Sequence, residues 1–455
     1  MNSPVSGHTM QSGITGTYAV GTDNRGYINI GSGSLIVSVA GANLGSNVFQ
    51  ELALTEMDDV GTSPSGQSGS GHCYKQVTIA LDGIRPSGGY VFGLSGEDMN
   101  GATESVVGQV VFSGSAATGV QDMVVGTGAP FSDTFSNTSS TTDSYGRMVM
   151  LTSGVDNSVL YLTNDAKGDA FIMTLSGHNG SNNADFMIGQ ARAQSTTNIA
   201  ASNPISGPAV MYMNGSVNVS GSSTNYKAMA MQLTGSTNSK KVTVNSIMKN
   251  SAGTFSLDTD SVYGQTVNYT TDGSTGRTIL SGTTGDYLYL YDTNAAIVLF
   301  ADTGGGGGTH NLMGWLEPQT TSGSWSLGEV ATSYMMYKQP DGSYNSNSND
   351  GVLTTATDGT ISNFTSDNGS WYWASWGEGL SGNSSVTATG ALSLNASDGS
   401  NYGLVDMNMT IGGSTNTQGE CYAISVDAAI KSTTKAKMVC IDRSSDEGSM
   451  SIVQE

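Results

Sequence analysis

Val267-Asn268-Tyr269-Thr270-Thr271-Asp272-Gly273-Ser274-Thr275-Gly276-Arg277-Thr278-Ile279-Leu280 is a strand, a polar turn and a second strand in succession. Thr, Val, Ile and Tyr suit a pleated, half-buried surface. A turn Asp accepts hydrogen bonds from nearby backbone, and Gly tolerates positive φ. The segment therefore predicts a β-hairpin. Three more stretches have the same form: Thr22-Asp23-Asn24-Arg25-Gly26-Tyr27-Ile28-Asn29-Ile30, Thr142-Asp143-Ser144-Tyr145-Gly146-Arg147-Met148-Val149-Met150, and Leu392 to Leu394 followed by Ser397-Asp398-Gly399 and Gly403-Leu404-Val405. Gly26, Gly146, Gly276 and Gly403 anchor the four hairpins.

Downstream of each anchor comes a short apolar strand: Leu35 to Val39, Val159 to Leu162, Tyr287 to Tyr291, and Tyr422 to Val426. A Gln then closes each stretch, at Gln76, Gln194, Gln319 and Gln454. The intervals between these glutamines are irregular, which fits a divergent array rather than a strict solenoid. Upstream strands at Gly88 to Leu94, Gly207 to Met213 and Gly323 to Leu327 give the later units a first half. A full unit then holds about seven to nine strands, a number suited to a small barrel or sandwich. The expected fold is all-β, a tandem array of β-sandwich or small β-barrel domains. Expected boundaries are 1–77 for a partial unit, then 78–196, 197–320 and 321–455. Only 25 residues precede Gly26. A processed start, a small cap, or completion of the unit by strands of another subunit all account for the missing half. The third would make an open sheet edge a site of assembly.

Composition narrows the function classes. Of 455 residues, 62 are Gly, while only 12% are charged, which argues against charge-rich disorder. Sixteen Lys and Arg against 37 Asp and Glu leave a net charge of −21. Such a chain repels a phosphate backbone and an anionic bilayer, so neither nucleic acid nor a membrane surface is an expected partner. No apolar run is long enough for a membrane-spanning helix, and Met1 to Gly7 carries no basic-then-apolar signal region. The composition itself points to export.

Candidate chemistry is sparse. Cys421 and Cys440 lie on two neighbouring expected strands, and a disulfide between them suits an exported protein. Cys73 is left over; burial near the end of the first unit is expected, with pairing across subunits as the alternative. No C-x-x-C pair, G-x-S-x-G elbow, H-E-x-x-H motif or phosphate loop occurs. Asp23, Asp143, Asp272 and Asp398 recur in the turns, and hard oxygen ligands suit calcium. Each turn offers only one or two carboxylates, so a side-chain-capped turn is the favoured role. No cofactor is expected beyond this weak case for calcium. Asp258 and Asp260 form another acidic pair.

Ser370-Trp371-Tyr372-Trp373-Ala374-Ser375-Trp376 is the most unusual segment, holding three of the five tryptophans. Trp371 and Trp373 share one face of a strand. Trp371, Tyr372, Trp373 and Trp376 suit core packing, a subunit interface or stacking on sugar rings.

Thr17 to Ile30, Asp143 to Met150, Thr270 to Leu280 and Ser393 to Met407 resemble the Gly- and Thr-rich tandem β-repeats of envelope or extracellular proteins from environmental bacteria. That resemblance implies an exported, surface-associated location and carries over no catalytic or binding residue. Taken together, the expectation is a non-enzymatic extracellular structural protein, a homo-oligomer or polymer forming a filament or surface layer. The alternatives are a carbohydrate-binding adhesin and a glycan-active enzyme.

Overall fold

The computed structural model describes residues 13–22, 25–30, 35–40, 51–56, 70–74, 76, 83–97, 102–126, 128–152, 155–163, 170–174, 186–219, 223–251, 253–283, 285–301, 303–304, 308–319, 325–339, 348–369, 385–396, 398–411, 414–425, 436–443 and 450–454. Strands account for 67% of it and helix for 4%, so the chain is nearly all β.

Five antiparallel strands from Gly16–Val20 to Ser70–Tyr74 form an open sheet, each paired with the next. Eight strands then run up and down from Gly88–Glu97 to Phe186–Ala193. They close into a barrel where Phe186 meets Glu97 and Ala193 meets Tyr90. A third sheet runs from Gly207–Val219 to Gly308–Pro318, and these two strands pair from Ala209–Pro318 to Val219–Gly308. The fourth and last sheet, Ser333–Gln339 to Met450–Gln454, also closes as an eight-stranded barrel. Barrels with one open half-barrel sheet, not sandwiches, are therefore the architecture. Closure depends on pairing the ends of segments over 100 residues apart, which local pattern does not encode.

Each barrel is filled by side chains. Tyr90, Phe92, Val106, Met148, Leu160 and Ile172 occupy the second sheet. Met211, Met231, Ile247, Leu288, Val298 and Leu316 occupy the third. Tyr334, Leu353, Val405, Met407 and Met438 occupy the fourth. Alternate residues point outward, yet many of those are buried too. Val91 and Val107 of the second barrel pack on Ile297 and Leu299 of the third. Val210, Ala230 and Met248 of the third pack with Met335, Ile441 and Ile452 of the fourth, and Ala53 of the first sheet joins the same cluster.

Strands buried on both faces read as continuous apolar runs. This explains why Tyr90-Val91-Phe92 and Ala209 to Met213 lack the alternation of a one-sided sheet. Each fully buried aliphatic side chain contributes about 1.5–3 kcal/mol, so the seams are as much core as the interiors. Close approach needs small residues: a Cβ on Gly93 would lie 2.6 Å from Ile297 Cγ2 across the second seam.

The turns behave as their residues dictate. Gly146, Gly276 and Gly403 have φ of 70°, 74° and 71°, in the left-handed region. Asp143 Oδ1 accepts from Tyr145 N at 2.9 Å and Arg147 N at 3.0 Å. Asp272 Oδ1 accepts from Ser274 N at 2.9 Å. One expected anchor, Gly26, lies two residues from the position of the others. Gly21 N bonds Arg25 O just as Asp143 N bonds Arg147 O and Asp272 N bonds Arg277 O. Arg25, Arg147 and Arg277 are thus counterparts, and Gly26 sits one residue past the turn. In the fourth barrel it is Asn395 N that bonds Leu404 O, so Asn395 takes the Asp272 position and Asp398 falls in a longer turn.

Candidate functional site

The chemistry of this chain gathers at the seams between its sheets. The first element is a recurring glutamine. Gln76 Nε2 donates to Tyr145 O at 2.7 Å and Leu162 O at 2.5 Å. Gln194 Nε2 donates to Thr275 O at 2.9 Å and Leu290 O at 2.6 Å. Gln319 Nε2 donates to Tyr402 O at 2.8 Å and Ala423 O at 2.7 Å. In each case the first acceptor immediately precedes the anchor glycine of the following sheet. The second acceptor belongs to the residue whose own N–H bonds that glycine's carbonyl. The last residue position of one sheet therefore grips the turn of the next. A Cβ on Gly276 would lie 2.7 Å from Gln194 Nε2, so the grip itself requires glycine there.

Gln454 does not share this position. Tyr289, Ile297 and Trp315 are paired in series, and Gln319 follows Trp315 by four residues. Tyr422, Val439 and Ile452 form the matching series, which leaves Gln454 two positions short. The expected set of four equivalent glutamines is a set of three.

Two ion-paired clusters fasten the seams. Asp122 of the second barrel is fully buried. Arg277 reaches it bidentately, Nε to Oδ2 and Nη2 to Oδ1, both at 2.6 Å. Tyr289 O–H adds a bond to Oδ2 at 2.8 Å, and Ser132 O–H donates to Oδ1. This donor set satisfies a charge whose burial alone would cost several kcal/mol. The paired carboxylate in turn raises the Arg277 guanidinium above its usual value. Burial, with Asp122 beside it, pushes the Tyr289 phenol well up.

Between the third and fourth barrels, Lys437 Nζ lies 2.6 Å from Glu317 Oε1, and Tyr212 O–H donates to the same oxygen at 2.7 Å. Burial alone would raise the Glu317 carboxyl. The Lys437 ammonium and the Tyr212 hydroxyl outweigh it and hold the group below the usual range.

A third cluster is acidic. Asp258, at φ 52°, accepts from Ile247 N at 2.8 Å and Ser246 Oγ at 3.1 Å. Tyr422 O–H of the fourth barrel donates to that Ser246 oxygen at 2.7 Å. The Asp398 carboxyl is hydrogen-bonded to Asp258. Burial and this contact push it up to about 6. Glu420, 2% exposed, is pushed up to about 7 by burial; Arg443 at 3.0 Å opposes the rise, and Asp406 and Asp258 add to it. Asp398 and Asp258 are carboxylates in hydrogen-bond contact, and the raised Asp398 carboxyl is the one that keeps a proton. They do not stand at the ~5–9.5 Å spacing that glycoside hydrolysis uses.

The expected site residues divide clearly. Cys421 and Cys440 face each other on paired strands and form a disulfide. Cys73, expected to be buried, is exposed. Trp371, Tyr372, Trp373 and Trp376 lie outside the described residues, as does Asp23. Asp258 and Asp260 diverge: Asp260 Oδ2 pairs with Lys249 Nζ at 2.6 Å. Among the described residues no group of three His, Cys, Asp or Glu side chains is arranged to hold a metal ion, and no helix is long and apolar enough to cross a membrane. Asp122, Arg277, Glu317 and Lys437 went unnoticed in the sequence. The glutamines did carry a signal, their recurrence, but nothing local told what they grip.

No protein-family model and no curated protein matches the chain. Among solved structures it is similar to kievitone hydratase from Nectria haematococca, at 7% identity and TM-score 0.18, over 84% of this chain and 94% of that one. It is also similar to a putative AttH from Nitrosomonas europaea, at 8% identity and TM-score 0.19, over 81% and 92% of the two chains. A protein with unknown function from Nostoc punctiforme matches at 8% identity and TM-score 0.15, over 84% and 98%. Likenesses this faint carry no argument about activity.

Proposed function

We propose that the chain is an extracellular structural protein, a tandem array of β-barrel units that assembles into a filament or surface layer. The observation that carries this reading is the glutamine grip. Three sheets in turn hold the next by the same pair of bonds, which favours a load-bearing block over domains that swing about a ligand. Apolar side chains fill the barrel interiors, where a small-molecule binder of this shape keeps its cavity. The Cys421–Cys440 disulfide is consistent with an oxidising, extracellular setting. Electron microscopy of the native protein tests the reading: ordered filaments or sheets are expected. Monodisperse single particles across salt, calcium and protein concentration would overturn it.

A glycan-binding reading rests on the aromatic segment Trp371 to Trp376. A glycan screen with the triple variant Trp371→Ala, Trp373→Ala, Trp376→Ala tests it. Binding that the triple variant leaves unchanged counts against these residues.

A further inference from the structure

The seams between the four sheets return to their starting point. Arg277 pairs with Tyr289, and Tyr289 with Ile297. Arg25, the counterpart of Arg277, pairs with Ala40, and Ala40 with Ala53. Ala53 therefore corresponds to Ile297 and, through the matching series of the fourth barrel, to Val439. A second correspondence runs along the other side of each seam. Gln194 N bonds Gly89 O as Gln319 N bonds Pro208 O, which equates Val91 with Val210. Tyr212 pairs with Trp315 and Tyr337 with Ile452, which equates Val210 with Met335.

The two correspondences meet at three seams. Ile297 is buried in one cluster with Val91, while Val439 with Val210 and Ala53 with Met335 share another. Glu51–Glu56 lies against Ser333–Gln339 and Ser348–Thr355, just as Ala295–Phe300 lies against Gly88–Glu97 and Thr103–Ser113. The fourth barrel thus offers the first sheet the same face that the second offers the third and the third offers the fourth. Gln76 in turn ties the first sheet to the second barrel. The succession of sheets closes into a ring.

The seam between the fourth barrel and the first sheet differs from the other two. The second and third barrels are consecutive in the chain, as are the third and fourth. The first sheet and the fourth barrel are not, so packing holds them without a direct chain connection. Ala53 also presents one methyl group where Ile297 and Val439 present branched side chains, so this position gives up less apolar area when the seam opens. Every copy carries both halves of the seam. The first sheet of one copy therefore matches the fourth barrel of another through the same residues, and such an exchange conserves its contacts. Residues 77–82 alone separate Gln76 from Gly83, and short connections between packed elements invite exchange. The two halves are different surfaces. A head-to-tail contact of this kind, once it does not close within one copy, runs on as a helical array.

We propose that this seam is an assembly interface: opened in each copy, it re-forms between copies, with the first sheet of one seated on the fourth barrel of the next. This names an interface for the assembly proposed above and rests on that reading.

The test uses the full chain. Unlabelled and isotope-labelled samples are mixed in equal amounts, concentrated and separated by size exclusion. Each fraction is treated with a lysine-reactive cross-linker, and Lys75–Lys338 pairs are read by mass spectrometry. Lys75 directly follows Ser70–Tyr74, and Lys338 lies in Ser333–Gln339, which packs on that strand. Monomer should give same-label pairs only. The assembled fraction should give mixed-label pairs as often as same-label ones. Ala53→Glu puts a charge into the buried seam and should abolish the assembled fraction. Where that variant loses its β circular dichroism, the label count in the unmodified chain decides. Assemblies holding only same-label pairs would overturn the proposal and leave the structural role standing. A folded Ala53→Glu variant that assembles like the parent would overturn it in the same way. Exchanged dimers with mixed-label pairs but no filaments or layers would uphold it and sink the filament reading instead. Monomer at every concentration would overturn both.

Discussion

The Gln194 side-chain amide lies 2.6 Å from the Leu290 carbonyl oxygen, joining the end of one barrel to a central strand of the next. The same amide bonds Thr275 O at 2.9 Å, on the turn that precedes Gly276. One residue thus fixes both the position and the orientation of its neighbour, since two acceptors on different segments define an angle as well as a distance.

Gln194→Ala removes both donors and leaves two seam carbonyls unsatisfied. A lost buried partner costs about 1–3 kcal/mol. Urea unfolding should show a loss in that range, and Gln319→Ala should match it. Gln194→Glu should cost at least as much, because a carboxylate has no N–H to donate.

Arg277→Met strands the buried Asp122 carboxylate. Breaking one side of a buried pair typically costs about 3–5 kcal/mol. Asp122→Leu combined with Arg277→Met removes the charge as well as its partner, and should recover most of that loss. A double-mutant comparison by thermal unfolding checks both. A single variant as stable as the parent would remove the pair from any account of the second seam.

Reduction of Cys421–Cys440 releases a loop of sequence separation 19. Loop entropy assigns such a bridge about 3 kcal/mol. Cys421→Ser with Cys440→Ser should lower stability by that order, measured by denaturant titration without reductant.

The acidic cluster sets a pH dependence with a definite sign. Asp398 rises from 3.8 to about 6 and Glu420 from 4.5 to about 7 on folding. Both therefore bind protons more tightly in the folded chain. Their contribution is full below about pH 4 and is lost as pH rises through 6 to 7. Glu317 and Asp272, held low, act oppositely and lose their contribution in acid. Between pH 5 and 8 the melting temperature should fall. Asp398→Asn, which keeps a donor for Asp258, should flatten that fall and raise stability at pH 8 with little change at pH 5.

The sequence carried the elements better than their arrangement. Strand-forming residues and an Asp-Gly turn around Asp272 and Asp143 predicted hairpins, because a capped turn and its flanking strands are local. Cys421 and Cys440 were legible for the same reason, lying on adjacent strands. Barrel closure was not, since the Ala209–Pro318 pairing spans the whole third sheet. The seams were hidden too. Val91 and Val210 look like any core residue, and only the folded chain shows that they face a neighbouring barrel. Gln454 misled because a recurring letter is not a recurring register. Cys73 misled because burial was expected from its place at the end of a unit, whereas its described strands form an open sheet and not a closed barrel.

Ala53 lies against the fourth barrel although some 280 residues separate it from the first strand there. The first sheet is thus made well before the surface that receives it. Until Ser333–Gln339 and its neighbours have folded, the Ala53 face of the early sheet is uncovered, and its apolar residues are available for the wrong contacts. Docking of the first sheet therefore waits on the synthesis of the fourth barrel, whatever the rate at which its own strands pair.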